Sequence, residues 1–144
     1  MIGMKIVKLA NTLRRIAFQE RFDGKSSKDN PTSLQQWILS YIWEHQTNGD
    51  VFQKDLEEAF KVRRSTATEV LKAMETKKMI IRTPLAEDKR MKKILLTDVA
   101  VEICKSNQAK IMQTEQKIEK GLTKEEISTF IRILEKIQNN LDDE

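Results

Sequence analysis

The sequence of 144 residues predicts a mainly α-helical protein with a small β-hairpin wing, a winged helix-turn-helix with further helices at both ends. Two patterns predict this fold. Residues 51–78 contain two short stretches of apolar residues at helical spacing, joined by a turn. Two β-favouring runs, MIIRT and KILL, then flank residues 84–91 and predict a hairpin with a long basic tip. A helix pair followed by such a hairpin is the chain order of a winged helix-turn-helix.

A heptad-like apolar stripe predicts the first helix, over residues 1–20. The stripe consists of Ile2, Ile6, Leu9, Leu13 and Ile16. A polar stretch with Gly24 and Pro31 follows and predicts a loop. Thr32 and Gln35 have the spacing of a capping box and predict the start of the second helix. Its apolar face comprises Leu34, Trp37, Ile38, Tyr41 and Ile42.

The helix-turn-helix is predicted from two more apolar patterns. Asp50 and Gln53 repeat the capping spacing, and Leu56, Ala59 and Phe60 would line the inner face of a short helix that ends near Lys61. In the following helix the spacing i, i+3, i+4, i+7 indicates the buried residues Ala67, Val70, Leu71 and Met74. This arrangement turns outward the side chains of Arg64, Ser65, Thr68, Glu69 and Lys72.

Two helices are predicted after the wing. Thr97 is a capping residue for a helix that runs to Gly121, and Thr123 with Glu126 forms a further capping box. Apolar stripes near both ends of the chain would stay exposed in a monomer, so they predict a homodimer. The dimerisation residues are Ile6, Leu9, Leu13, Phe130, Ile131, Leu134, Ile137 and Leu141. Packing of the terminal helices against each other within one chain is the alternative.

Positive charge is concentrated in one stretch of the chain. Residues 61–93 contain eleven basic and four acidic residues and carry a charge of +7. The whole chain carries only +4, so the remainder is acidic overall. A basic stretch that coincides with a helix-turn-helix and a wing predicts double-stranded DNA as a partner. A solvated charged face without a ligand is the alternative.

Other classes of protein are disfavoured by the composition. Four scattered glycines and a single histidine, His45, provide neither a phosphate-binding loop nor a nucleophile with a base, so we expect no enzyme. With one cysteine, Cys104, we expect no metal site and no cofactor. That thiol should be buried and inert, with redox sensing as the alternative. The N-terminus has no long apolar run, which predicts a cytoplasmic protein without a membrane contact.

The order of these elements resembles the MarR family of dimeric bacterial transcriptional regulators. The resemblance spans nearly the whole chain. It is most specific in QKDLEEAFKVRRSTATEVLKAMETKKMIIR, in the wing signature Asp88-Lys89-Arg90, and in the Leu96-Thr97 pair that opens the next helix. It implies one MarR-type domain over residues 1–144, with a DNA-binding lobe at 32–96 and dimerisation helices at 1–20 and 98–141. It also implies a repressor that binds an inverted-repeat operator.

In this geometry the start of the recognition helix enters the major groove, and the wing meets the adjacent backbone and minor groove. Arg63, Arg64, Ser65 and Thr68 are then expected at or near base edges. Lys72, Lys92 and Lys93 are expected at phosphates, and Arg90 in the minor groove. Asp88 would orient Arg90 by an ion pair, or stabilise the turn through its own backbone. The predicted DNA-binding residues are Arg63, Arg64, Ser65, Thr66, Thr68, Lys72, Asp88, Lys89, Arg90, Lys92 and Lys93.

The sequence also indicates a candidate ligand site and leaves one alternative function open. By resemblance, a small aromatic or otherwise apolar effector would bind near Trp37, Tyr41 or Trp43 and release the DNA, although aromatic residues at helical spacing are also typical of a core. A winged helix that contacts a protein instead of DNA is the main alternative function. Such a surface would favour apolar or acidic residues where Arg63, Arg64, Ser65 and Thr68 stand.

Overall fold

The structure is a computed structural model that describes the backbone of residues 1–22 and 30–142 and the side chains of residues 1–16 and 30–142. The predicted loop around Gly24 therefore lies mostly outside the described residues. The described elements are α1 (Ile2–Phe22), α2 (Ser33–His45), a 3-10 turn (Gln46–Asn48), β1 (Val51–Phe52), α3 (Gln53–Phe60), α4 (Arg64–Thr76), β2 (Ile80–Pro84), β3 (Lys92–Leu96), α5 (Asp98–Glu119) and α6 (Lys124–Asp142). This order confirms the predicted fold class, mainly α-helical with a winged helix-turn-helix.

The chain divides into two compact units, residues 1–110 and 111–144. The first contains the helix-turn-helix, the sheet and the start of α5. Its core is formed by side chains from four helices and the sheet, with Ile42, Leu71 and Met74 fully buried. The second unit contains the end of α5 and all of α6, and no residue of α6 is buried within the chain. Of the described residues, none belongs to a helix both long and apolar enough to cross a membrane.

The sheet has three antiparallel strands in the order β1-β3-β2. Ile80 and Ile94 lie on its inner face and are buried in the core. Ile81 and Leu95 are directly paired on the outer face and remain exposed. The predicted hairpin is therefore present. Strand β1 was not predicted, because two residues are too few to show a period of two. The side-chain alternation of β2 and β3 orients the wing relative to the core.

The start of α3 differs from the prediction. Asp50 does not cap this helix, because Val51 and Phe52 pair with β3 and the helix begins only at Gln53. Asp55 instead accepts a hydrogen bond from the Phe52 backbone N–H, at 2.8 Å. Ala59, predicted to face inward, is exposed. Strand pairing of Val51 and Phe52 therefore overrides the capping pattern that Asp50 and Gln53 have in the sequence.

The other predicted caps are confirmed. Thr32 and Gln35 form a reciprocal capping box at the start of α2, and Thr123 and Glu126 form one at the start of α6. The Thr97 hydroxyl accepts from the Ala100 backbone N–H at 3.2 Å and donates to the Lys78 carbonyl at 2.7 Å. Thr97 therefore joins the start of α5 to the turn that follows α4.

We predict that Thr97→Val destabilises the protein by about 1–2 kcal/mol, because the helix cap and the bond to Lys78 are both lost. Urea unfolding at a fixed protein concentration measures this. Thr76→Val is the matched control, since the Thr76 hydroxyl only bonds back to the Lys72 carbonyl within α4. It should change the free energy of unfolding by less than about 0.5 kcal/mol. Equal losses in the two variants would contradict the structural role of Thr97.

Candidate nucleic-acid interface

A three-residue turn connects α3 to α4. Lys61 ends α3 in the left-handed conformation, with φ of 50°, and its N–H bonds to carbonyls of the last turn of α3. The Val62 N–H donates to the Glu57 carbonyl at 3.2 Å and closes the turn. A left-handed non-glycine residue is unfavourable by itself, so the hydrogen bonds and packing around the turn stabilise it. The turn is short enough to bring the start of α4 beside α3.

The first turn of α4 presents a polar, basic surface. Ala67, Leu71 and Met74 are buried on the opposite face of the helix. The residues predicted to meet DNA from the first turn, Arg63, Arg64, Ser65 and Thr66, are all exposed, as is Lys72 further along. The first turn of α4 has no acidic residue, and the free N–H groups of a helix start add positive potential. This end of α4 is therefore suited to an anionic ligand.

Thr68 has a different environment from its neighbours. Its hydroxyl donates to the Arg64 carbonyl at 2.8 Å and accepts from the Gln53 Nε2 at 3.0 Å. Gln53 is the first residue of α3, so this contact joins the starts of the two helices. The hydroxyl of Thr68 is thus engaged within the protein. The outward position of this residue was predicted from the sequence, and its contact with Gln53 was not.

The tip of the wing is held by Asp88. One carboxylate oxygen accepts from the Arg90 backbone N–H at 3.0 Å and from the Arg90 Nε at 3.2 Å. The two predicted alternatives for Asp88 therefore occur together, an ion pair with Arg90 and a bond to the backbone of the turn. Arg90 remains 92% exposed in its side chain, so most of its guanidinium is accessible. Lys89 and Lys92 are also exposed, and Lys93 is half-buried.

A groove of about 570 Å³ lies between the starts of α3 and α4 and the wing. It is lined by Phe52, Gln53, Lys54, Glu57, Arg64, Thr68, Arg82, Arg90, Met91 and Lys92. Five of these side chains are cationic, and Glu57 alone is acidic. The fold thus brings Arg64 of the helix and Arg90 of the wing, 26 positions apart in the sequence, to one concave basic surface. Such a surface attracts polyanions.

Two basic residues counted in the charged stretch bind within the protein. The Arg82 Nε donates to Glu75 at 2.6 Å and fastens β2 to α4. The Lys77 Nζ donates to the Gln35 side chain at 2.9 Å and to the Asn30 carbonyl at 3.1 Å. Both residues hold α4 in place against its neighbours. Lys54 is exposed, lines the groove, and was missed because it lies before the basic stretch.

The predicted aromatic cluster lies on α2, outside the groove. Trp37, Tyr41 and Trp43 are half-buried, and none of them lines the groove. Tyr41 and Trp43 pack against the core, and the Tyr41 ring stacks on His45 with 3.9 Å between centroids. Cys104 is buried, as predicted. Within the described ranges, no three histidine, cysteine, aspartate or glutamate side chains are grouped so that they could hold a metal ion.

Comparison with known proteins gives a family match over the winged helix. Residues 32–92 match the model of the MarR family. The transcription regulator MarR from Oenococcus oeni PSU-1 is 25% identical, with a TM-score of 0.75 and 96% of each chain covered.

Two structures solved with DNA have the same fold. A putative MarR family transcriptional regulator from Listeria monocytogenes, complexed with 26mer DNA, is 24% identical, with a TM-score of 0.80; the match covers 99% of this chain and 90% of that one. A MepR–DNA complex from S. aureus is 22% identical, with a TM-score of 0.76, covering 98% and 96%. Residues 32–92 thus match the MarR family of transcriptional regulators, and the rest of the chain shares the fold of these solved structures.

Proposed function

We propose that the protein is a sequence-specific DNA-binding repressor that occupies an inverted-repeat operator as a homodimer. The observation that carries this proposal is the groove in which Arg64, Arg90 and Lys92 lie around one concave surface. The width of the major groove admits an α-helix, and a wing beside that helix reaches the adjacent backbone. The DNA complexes of the Listeria and S. aureus proteins, which share the fold, support the same ligand here.

The predicted DNA-binding residues, most of them exposed and Thr68, Asp88 and Lys93 half-buried, meet different parts of the DNA. Arg63, Arg64, Ser65 and Thr66 stand at the start of α4 and read base edges, where arginine can bind guanine through two hydrogen bonds. Arg90 extends from the wing tip into the minor groove. Lys72, Lys89, Lys92 and Lys93 bind phosphates and fix affinity and register. Asp88 acts through Arg90, which it holds by an ion pair.

Two variants separate base reading from phosphate binding. We expect Arg64→Ala to cost about 1–3 kcal/mol on the preferred sequence and to relax the preference at one base pair. We expect Lys92→Ala to weaken binding to all sequences alike and to reduce the slope of log affinity against log salt by about one. Fluorescence anisotropy on an operator and its single-base variants, over a range of salt concentrations, measures both.

An equal loss for Arg64→Ala on every sequence would contradict base reading by this residue. Glu69→Ala is the control on the same helix, because Glu69 is exposed and lines no part of the groove. Removing this negative charge should not change the base preference.

The proposed dimer is supported by exposed apolar helix faces. In α6, Phe130 is 47%, Ile131 51%, Leu134 41% and Leu141 66% exposed, and Ile137 is half-buried. In α1, Ile6 is 38% and Leu9 49% exposed, with Leu13 half-buried. An exposed apolar stripe on a helix is typical of an interface. A two-fold dimer places two recognition helices on half-sites about 10 base pairs apart.

Sedimentation should therefore find a dimer at micromolar concentration. Ile131→Glu should shift it to monomer, because a two-fold axis brings the substituted face into contact with its own copy and desolvates both carboxylates. Glu135→Lys, at an exposed charged position of the same helix, is the control and should stay dimeric. A wild-type chain that is monomeric at this concentration would refute the dimer.

A small aromatic or otherwise apolar effector is proposed to release the DNA by binding near Trp37, Tyr41 and Trp43. These residues are half-buried, so each keeps part of its surface accessible. A ligand that binds the folded state raises the unfolding temperature, and one at about 100 times its Kd adds about 2.7 kcal/mol of stability. We expect a member of a phenolic panel to do so and to restore run-off transcription that the protein represses. No stabilisation by any member would contradict this site.

A further inference from the structure

The contact between Gln53 and the recognition helix suggests how base preference is fixed. The Gln53 Nε2 donates to the Thr68 hydroxyl at 3.0 Å and lies 3.4 Å from the Arg64 carbonyl. The same hydroxyl donates its proton to that carbonyl at 2.8 Å. The three groups form a closed arrangement at the point where α3 meets the first turn of α4.

The direction of each hydrogen bond follows from the chemistry of the groups. The Arg64 carbonyl can only accept, so Thr68 must direct its proton there, and its oxygen is then an acceptor. Gln53 must therefore turn its NH₂ group, and not its carbonyl, toward Thr68. The proton of the Thr68 hydroxyl and one of its two acceptor positions are thus used inside the protein. Its methyl group is the apolar part of the side chain that a ligand can contact.

The rotamer of Thr68 depends on such a hydrogen bond, whereas the rotamer of a valine at this position would not. Within a helix, threonine divides between two side-chain rotamers, because its hydroxyl can bond the preceding turn, whereas valine takes one rotamer in about nine cases of ten. A second hydrogen bond to the hydroxyl favours one of the two rotamers. The methyl group of Thr68 then occupies one position relative to the groove that Gln53, Arg64 and Thr68 line.

We propose that Gln53 is a positioning residue for base recognition, holding Thr68 so that its methyl group, and not its hydroxyl, meets the DNA. The matching partner is the C5-methyl group of thymine in the major groove, which apolar groups of protein side chains contact. The inference rests on the proposed function, because it requires binding through the start of α4. It assigns to Gln53 an effect on sequence preference without a contact to the bases.

The test uses the full chain, an operator selected by the wild-type protein, and all single-base variants of that operator. The wild type should prefer thymine at one position by about fourfold, the value of one buried methyl-sized group. Thr68→Ser, which keeps the hydroxyl, should lose this preference. Thr68→Val, which keeps the methyl group, should retain it to within about twofold. Gln53→Met should reduce the preference to less than about twofold.

The double variant distinguishes positioning from a general structural role. Because valine needs no hydrogen bond to hold its rotamer, Gln53→Met should have no further effect on base preference in a Thr68→Val background. Lys54→Met is the matched control on the same helix turn. It should weaken binding to every sequence equally, because Lys54 lines the groove without a hydrogen bond to α4 in the described structure. Gln53→Ala serves as a second variant should Gln53→Met unfold.

The outcomes separate the inference from the function on which it rests. A selective wild type whose thymine preference survives Gln53→Met would overturn the inference and leave the proposed function standing. Loss of preference in Thr68→Val, together with retention in Thr68→Ser, would overturn it as well, because the hydroxyl would then be the reading group. A wild type with no base preference at all would overturn both.

Discussion

The burial of one face of α4 is the constraint on which the rest of the interface depends. Ala67, Leu71 and Met74 lie in the core, with Leu71 and Met74 fully inaccessible. Complete burial of a leucine or methionine side chain contributes about 1.5–3 kcal/mol, more than most single hydrogen bonds. The apolar face therefore determines which side of α4 is free, and the side opposite carries Arg64 and its polar neighbours. Rotation of the helix would expose that apolar face and bury charge.

Polar contacts then fix α4 at both ends. Gln53 holds its first turn through Thr68, while Glu75 and Lys77 connect its last turn to β2 and α2. The basic residues of the chain thus have two different roles. Arg82 and Lys77 are bound by acceptors of the protein itself and position the helix. Arg64, Arg90 and Lys92 keep their charge at the surface, so the charge available to a ligand is lower than the sequence count suggests.

Much of this arrangement could be predicted from the sequence because it follows from local patterns. The helical spacing of Leu71 and Met74 and the capping pair at Thr32 are properties of neighbouring residues, and the structure agrees with them. What the sequence did not contain are contacts between distant residues. The strand β1 and the displaced start of α3 depend on pairing of Val51 with Ile94, 43 positions away. The binding of Lys77 by Gln35 is likewise a product of the fold.

The groove likewise combines local patterns with contacts between distant residues. Exposure of the first turn of α4 was predictable, because the buried positions of a helix fix the exposed ones. The groove was not, because Lys54, Arg64 and Arg90 come together only when the wing folds beside the helix pair. The internal use of the Thr68 hydroxyl could not be predicted either, since nothing in the local sequence indicates that Gln53 reaches it. A side chain that contacts a base can be distinguished from one that only positions its neighbour when the three-dimensional structure is known, and not from the sequence alone.

Selection of DNA from a genomic fragment library by the wild-type protein would show directly whether it binds specific inverted repeats. The experiment is best done at about 150 mM salt with excess competitor, because purely electrostatic binding is strongly weakened under these conditions. We expect recovery of a few inverted repeats with half-sites about one helical turn apart. Uniform weak binding to all fragments would contradict it, and would point to a winged helix whose partner is a protein.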